Sequence, residues 1–386
     1  MIPVVFVTQN PDKHREVAAL LAGVDVRAAR LDLAKPEVGS LAKIARARAE
    51  EAVRRLGEPC FLESTGLYLY EHDGAPGASF KREWRALGEE GFGRKYGGAR
   101  GVARVAVAYA RAPGDVVVFE GEASGEVLSA PRPSARGYGY DRLWVVDGYD
   151  RTLAEMHDST YAVHMRAAPY LALGELLRGE SPRATFEAHL TVAPGSDVQA
   201  LRIACRELGL KCVVIELPCG EVPHQPMSAS FHRGDLRDVQ AEVLGLAREL
   251  VRRGFDVTRT KIEQHGRLDG APETDEDAAR RPTTSYYEFH VKVATPAGAD
   301  PAALAAAVGP AGGLVSWNSE KGPGVDGKVE RFVTLRAPGV GRATAEARFA
   351  AVLDAVAGTD VTVRNRVREY TVFDTALAVD AGWVPS

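Results

Sequence analysis

The spacing of apolar and polar residues changes period several times along the first hundred positions. Ile2-Pro-Val-Val-Phe-Val-Thr8 is an almost unbroken apolar, β-branched run and predicts a buried strand. The polar turn Gln9-Asn-Pro-Asp-Lys13 follows, and then residues 14–21, whose apolar positions recur at three and four and predict a helix. A strand running through such a turn into a helix N-terminus makes a good anion site, because the end N–H groups and Lys13 favour phosphate. A second helix, 41–56, leads into Phe61-Leu-Glu-Ser-Thr-Gly-Leu67. That apolar run reaches Glu63 and breaks into small polar residues, so the carboxylate is expected at a strand end where a loop can approach a ligand. Pro76-Gly77 is expected to turn the chain and present Lys81, a natural phosphate partner. Strands are predicted near 102–110 and 116–122. Gly137-Tyr-Gly-Tyr-Asp141 follows them, where tyrosines beside an aspartate could clamp a flat base; a glycine-rich hairpin would use the same residues.

The pattern changes after Leu177. Residues 178–183 read as a charged, Pro/Gly-containing linker, and an internal repeat follows it. One copy opens Thr185-Phe-Glu-Ala-His-Leu-Thr-Val192, the other Tyr286-Tyr-Glu-Phe-His-Val-Lys-Val293. Each copy reads strand, helix, strand, strand, helix, strand, which predicts two ferredoxin-like α+β repeats at 184–265 and 285–386. Residues 266–284, acidic and then basic, are expected to form a mobile loop.

Alternation sorts the strand faces. Phe186, Ala188, Leu190 and Val192 share one face, and Glu187, His189 and Thr191 the other. Glu288, His290 and Lys292 repeat the polar pattern, and Arg259, Lys261 and Glu263 line one face of a closing strand. Such a face suits an anion, with histidine as acid or base; it equally suits a solvated outer surface laced with ion pairs. His189-Leu-Thr191 resembles half of the two-histidine phosphoesterase signature, whereas His290-Val-Lys292 lacks the hydroxyl residue. His224 and His232 are expected between strands, and no spacing in the chain resembles a metal-ligand set.

A length of 386 residues implies two or three domains, and a net charge of −4 argues against a broadly basic nucleic-acid coat. Cys60, Cys205, Cys212 and Cys219 fit neither a zinc knuckle nor a disulfide scaffold and read as reduced thiols. No run is long enough to span a bilayer and no secretory leader is evident, so a cytoplasmic protein is expected.

Taken in order, Thr8-Gln-Asn10-Pro-Asp-Lys13, Glu63-Ser-Thr-Gly-Leu67, Pro76-Gly77 with Lys81, Gly137-Tyr-Gly-Tyr-Asp141 and Thr152-Leu-Ala-Glu155-Met resemble the inosine triphosphate pyrophosphatase family over residues 1–178. The resemblance implies an elongated α/β domain with a long mixed sheet and a cleft between two lobes. It also implies a magnesium-dependent hydrolase, usually homodimeric, that converts inosine or xanthosine triphosphate to monophosphate and pyrophosphate. By the same resemblance Thr8, Asn10, Lys13 and Lys81 hold a purine nucleoside triphosphate. Tyr138, Tyr140, Asp141 and Arg166 form the base pocket, and Glu37 and Glu63 hold the metal. Ser64 stands where the family has the aspartate that activates water, and a serine hydroxyl is too weak a base for that role. The family's lysine near Thr160 and the histidine at Met165 are also missing, and Arg48 replaces a lysine. The alternative is therefore a catalytically silent nucleotide sensor whose repeats engage a protein or nucleic acid. Chemistry on His189 and His290 is a third reading.

Overall fold

The computed structural model describes residues 2–21, 23–34, 40–134, 137, 139–156, 165–180, 183–266 and 268–384. They form two units that divide between Arg183 and Ala184.

Unit 1 begins with β1 (Ile2–Val7), α1 (Pro11–Leu20), β2 (Val24–Ala29), α2 (Leu41–Leu56) and β3 (Cys60–Leu69). It continues through β4 (Pro76–Gly77), α3 (Phe80–Tyr96), β5 (Arg100–Ala112), β6 (Asp115–Val127), β7 (Trp144–Val146) and α4 (Ala167–Leu177). The sheet runs β2-β1-β3-β5-β6-β7, with β4 attached to β3. β1 lies parallel to β2 and β3, and the remaining pairs are antiparallel, so the sheet is mixed. Both faces are covered, which is why β1 is apolar throughout. Val4 and Phe6 enter a core shared with Val17 of α1, Phe92 of α3 and Tyr170 of α4. Val5 and Val7 enter a second core with Leu41, Ala45 and Ala49 of α2.

Two expectations are corrected here. The first helix starts at Pro11 rather than 14, because Asn10 caps it and proline suits the first helical position. Glu63 sits within a strand rather than at its end, since β3 pairs with β5 from Cys60 opposite Ala110 to Leu69 opposite Gly101. Pro76-Gly77 does turn the chain, the Ser79 amide donating to the Pro76 carbonyl at 3.0 Å, and Lys81 follows in the first turn of α3. Pro76-Gly77 also pairs with Tyr68 and Leu67, and a side chain on Gly66 would meet the Gly77 carbonyl at 3.0 Å.

Unit 2 opens with β8 (Ala184–Val192), α5 (Val198–Leu208), β9 (Lys211–Glu216), β10 (His224–Gly234), α6 (Leu236–Arg252) and β11 (Val257–His265). After α7 (Asp275–Ala278) the order recurs as β12 (Tyr286–Pro296), α8 (Pro301–Val308), β13 (Leu314–Asn318), β14 (Lys328–Pro338), α9 (Arg342–Ala357) and β15 (Thr362–Asp374). The strands close into one antiparallel barrel, β10-β8-β11-β15-β12-β14-β13-β9. Within it the first half is ordered β9-β10-β8-β11 and the second β13-β14-β12-β15, joined through β11–β15 and β9–β13. The helices pack outside, against Phe186, Ala188, Leu190 and Val192 in one half and Phe289, Val291 and Val293 in the other. The alternating polar residues therefore turn into the barrel and are not a solvated outer face.

Residues 266–284 are not a bare loop. Leu268 and Ala271 are buried in the core of the second half, and Thr274 caps α7 through its hydroxyl. His224 and His232 lie on β10 rather than between strands. No helix among the described residues is long and apolar enough to cross a membrane.

Candidate functional site

In unit 1 the chain leaves β1 at Thr8 and is locked by its own side chains. Thr8 Oγ1 accepts from the Asn10 amide at 3.2 Å, and Asn10 Oδ1 accepts from the Asp12 and Lys13 amides at 2.9 and 3.4 Å. The helix-end N–H groups read from the sequence as free are thus engaged by the cap. What the turn presents is the Lys13 ammonium.

That ammonium pairs with Glu63, whose side chain is only 4% exposed. Arg166 Nε donates to Glu63 Oε2 at 3.2 Å, and the Tyr170 hydroxyl donates to the same oxygen at 2.8 Å. Burial pushes the Glu63 pKa up, but Arg166 and Lys13 together with the Tyr170 hydrogen bond outweigh it and hold the carboxyl well below the usual range. Glu63 stays ionised and is a weak proton acceptor. Tyr170 was not anticipated, although it follows Arg166 by four positions at the head of a helix, the spacing that puts two side chains on one face.

Ser64 points to the other side of β3. Arg48 of α2 donates through Nη1 to the Glu63 carbonyl and to Ser64 Oγ, both at 3.2 Å. Burial lowers the Arg48 pKa, with Glu51 and Glu63 opposing it. Lys81 lies close enough to feel three cations: desolvation, then Arg85, Lys13 and Arg48, lower its pKa. Among the described residues Lys81 has no carboxylate partner. Lys13, Arg48, Lys81 and Arg85 therefore build a positive field around one already neutralised carboxylate, a natural setting for a polyanion.

The other expected residues are placed differently. Tyr140 is buried, donates to Met165 Sδ at 3.3 Å and stands edge-on to Phe80 at 4.9 Å, so it is a core residue and not an open clamp. Asp141 is buried on the same turn, its carbonyl accepting from the Ala154 amide at 2.9 Å. Tyr138 and Glu37 lie outside the described residues. Of the two carboxylates expected to hold magnesium, Glu63 alone is among the described residues, and Lys13 and Arg166 already pair with it.

In unit 2 the barrel gathers every residue of the expected second site. Lys261 Nζ bridges Glu288 at 2.6 Å and Glu263 at 2.8 Å, and His189 Nε2 lies 3.4 Å from Glu263. Arg259 pairs with Asp374 at 2.5 Å and Asp380 at 2.8 Å, and Arg336 with Glu288 and Asp380, both at 2.7 Å. His290 Nε2 faces Glu369 at 3.3 Å and His265 Nδ1 faces it at 2.8 Å. Arg259, Lys261 and Arg336 are each held by carboxylates, and Lys292 by Glu330, so the cations of the expected anion-binding face are engaged in internal ion pairs.

Residues 4–171 match the model of the Ham1 family. A dITP/XTP pyrophosphatase from Ignicoccus hospitalis is 32% identical over 184 residues, covering 46% of this chain and 97% of that protein. Its counterpart from Methanopyrus kandleri is 32% identical over 160 residues, covering 40% and 84%. An inosine triphosphate pyrophosphatase from Yarrowia lipolytica is 31% identical over 163 residues, covering 41% and 85%. These matches span a little under half of the chain. With Lys13, Arg48, Lys81 and Arg85 of unit 1 within the matched residues, the chain belongs, through that unit, to the Ham1 family.

Proposed function

We propose that unit 1 binds a purine nucleoside triphosphate and hydrolyses it to the monophosphate and pyrophosphate. The convergence of Lys13, Arg48, Lys81 and Arg85 beside β3 carries this reading, because a triphosphate relieves the mutual repulsion that, after desolvation, lowers the Lys81 pKa. Lys13 and Lys81 hold the phosphates, Thr8 contributes its hydroxyl, and Asp141 reads the base. Positive side chains fixed before the substrate arrives stabilise the charge that develops on pyrophosphate. Turnover is reduced relative to the family, because Ser64 offers no carboxylate and Glu63 is held ionised. Magnesium enters with the triphosphate, and the protein acts in the cytoplasm as a homodimer.

A silent nucleotide sensor is the second reading. It is favoured by Arg48, which occupies the Ser64 hydroxyl directly. Each half of unit 2 is read as a ferredoxin-like repeat, supported by its strand order with the first strand flanked by the third and fourth. A phosphoesterase on His189 and His290 is disfavoured by the carboxylates that face them. Incubation of the full chain with inosine, xanthosine, adenosine and guanosine triphosphates, with and without magnesium, tests the proposal. Pyrophosphate from a deaminated purine is expected; binding without pyrophosphate selects the sensor, and absence of binding removes both.

A further inference from the structure

Within the barrel, Glu187 on β8, His265 on β11 and Glu369 on β15 bring one ligand atom each to within 4.8 Å of the others. These are three adjacent strands, and the register sets the grouping. Glu187 stands opposite Glu263, His265 opposite Glu369, and Glu369 opposite Glu288. Carboxylates directly opposite one another repel unless a cation lies between them. Lys261 answers Glu263 and Glu288, and Arg336 answers Glu288. Neither Lys261 nor Arg336 pairs with Glu187 or Glu369 in the described network. The charged partners of those two carboxylates in the described network are histidines, His265 for both and His290 for Glu369.

We infer that Glu187, His265 and Glu369 form a binding site for a divalent first-row transition-metal ion such as zinc. His265 Nδ1 lies 2.8 Å from Glu369 Oε1 and 4.0 Å from Glu187 Oε2. Ligand atoms bound to a tetrahedral ion at about 2.0–2.2 Å stand roughly 3.4 Å apart, so the two separations bracket the required one. Imidazole with carboxylates suits zinc, cobalt or manganese better than magnesium. The supporting shell is also in place. His290 Nε2 holds the other Glu369 oxygen at 3.3 Å, and His290 Nδ1 is held by Thr334 Oγ1 at 2.8 Å, which fixes the ring. Water reaches the cluster from one side: Glu187 and His265 are 17% and 28% exposed, against 5% for Glu369. An ion arriving there places a positive charge between two carboxylates that neither Lys261 nor Arg336 reaches.

The full chain, stripped with a chelator, is titrated with zinc alone by calorimetry. One ion per chain is expected, with a Kd below about 1 µM. His265→Asn should abolish measurable binding, and His290→Gln should weaken it by about 10- to 100-fold, with far-UV circular dichroism unchanged in both. Because either variant could disturb the barrel, cobalt is also added to the unmodified protein. Paramagnetically shifted imidazole N–H resonances are expected, and excess magnesium should leave them in place. No stoichiometric zinc, zinc binding indifferent to His265→Asn in a folded variant, or cobalt without shifted imidazole signals would each overturn the inference.

Discussion

Replacing Glu63 by glutamine tests the centre of unit 1 by stability rather than activity. The change keeps the shape and leaves an acceptor for Tyr170, but removes the charge that faces Lys13 and Arg166. The two cations respond unequally. Lys13 is 21% exposed and can turn toward water, whereas Arg166 is 4% exposed and cannot. Breaking a buried pair by removing one partner costs about 3–5 kcal/mol, and the retained amide acceptor sets the expectation at the lower end, about 3 kcal/mol. For a unit of this size each kcal/mol moves the midpoint by about 2–4 °C, so a fall of about 6–12 °C is expected. Scanning calorimetry of the full chain reads it as a shift in one transition while the other stays fixed. Combining Glu63→Gln with Arg166→Met removes the stranded charge and should recover at least about half of the loss, a non-additivity expected of contacting groups. A fall below about 2 °C, or a double variant as unstable as the sum of its parts, would refute the picture of a buried, charge-balanced Glu63.

Other expectations follow from the same geometry. Ser64→Asp places a carboxylate against Arg48 and supplies the missing proton acceptor, so pyrophosphate release from inosine triphosphate should rise at least about tenfold, in kcat more than in KM; a slower variant would show that another group activates water. Lys81→Ala removes a charge-assisted phosphate contact and should weaken nucleotide binding roughly ten- to a hundredfold by calorimetry, whereas unchanged binding would put the triphosphate elsewhere. In unit 2, burial raises the Glu288 pKa but Arg336 and Lys261 outweigh it, pushing it from 4.5 down to about 2. Its folded value is depressed, so its contribution is complete above about pH 4.5 and drains away as pH falls toward 2. The unit 2 calorimetric transition should drop steadily across that window, and a flat profile would contradict the assignment.

Much of unit 1 could be read from the sequence because its signals are local. The double-faced strand at Val4–Val7, the helix at 41–56 and the order of the phosphate motifs each lie within a few neighbouring residues. The start of α1 is legible too, in Asn10-Pro11, whereas helical periodicity alone begins at 14. Ser64 shows the limit of pattern matching. The substitution is visible in the chain, whereas its engagement by Arg48, sixteen positions earlier, is a fact of packing. In unit 2 the repeat and the polar alternation were plain, but the side they faced was not. Alternation is the same whether the polar face meets water or the inside of a barrel, and closure depends on contacts such as Trp317 with Glu216, more than a hundred residues apart. The Glu187, His265 and Glu369 grouping is drawn from three strands and has no spacing signature at all.

Closure also makes the two halves of unit 2 dependent on each other. Separated, each half would show two raw strand edges, β9 and β11 in one and β13 and β15 in the other, with unpaired backbone groups that invite promiscuous pairing. Together they shield those edges in the manner of an obligate dimer. Because residues 266–284 tether them, the partner is always present at a high effective concentration, and the assembly does not come apart on dilution. The joints are unequal: among the described residues five pairs join β11 to β15, whereas two, Trp317 with Glu216 and Asn318 with Ile215, join β9 to β13, extended by the Ser319 amide donating to the Val214 carbonyl. The short joint is where the ring parts first under load.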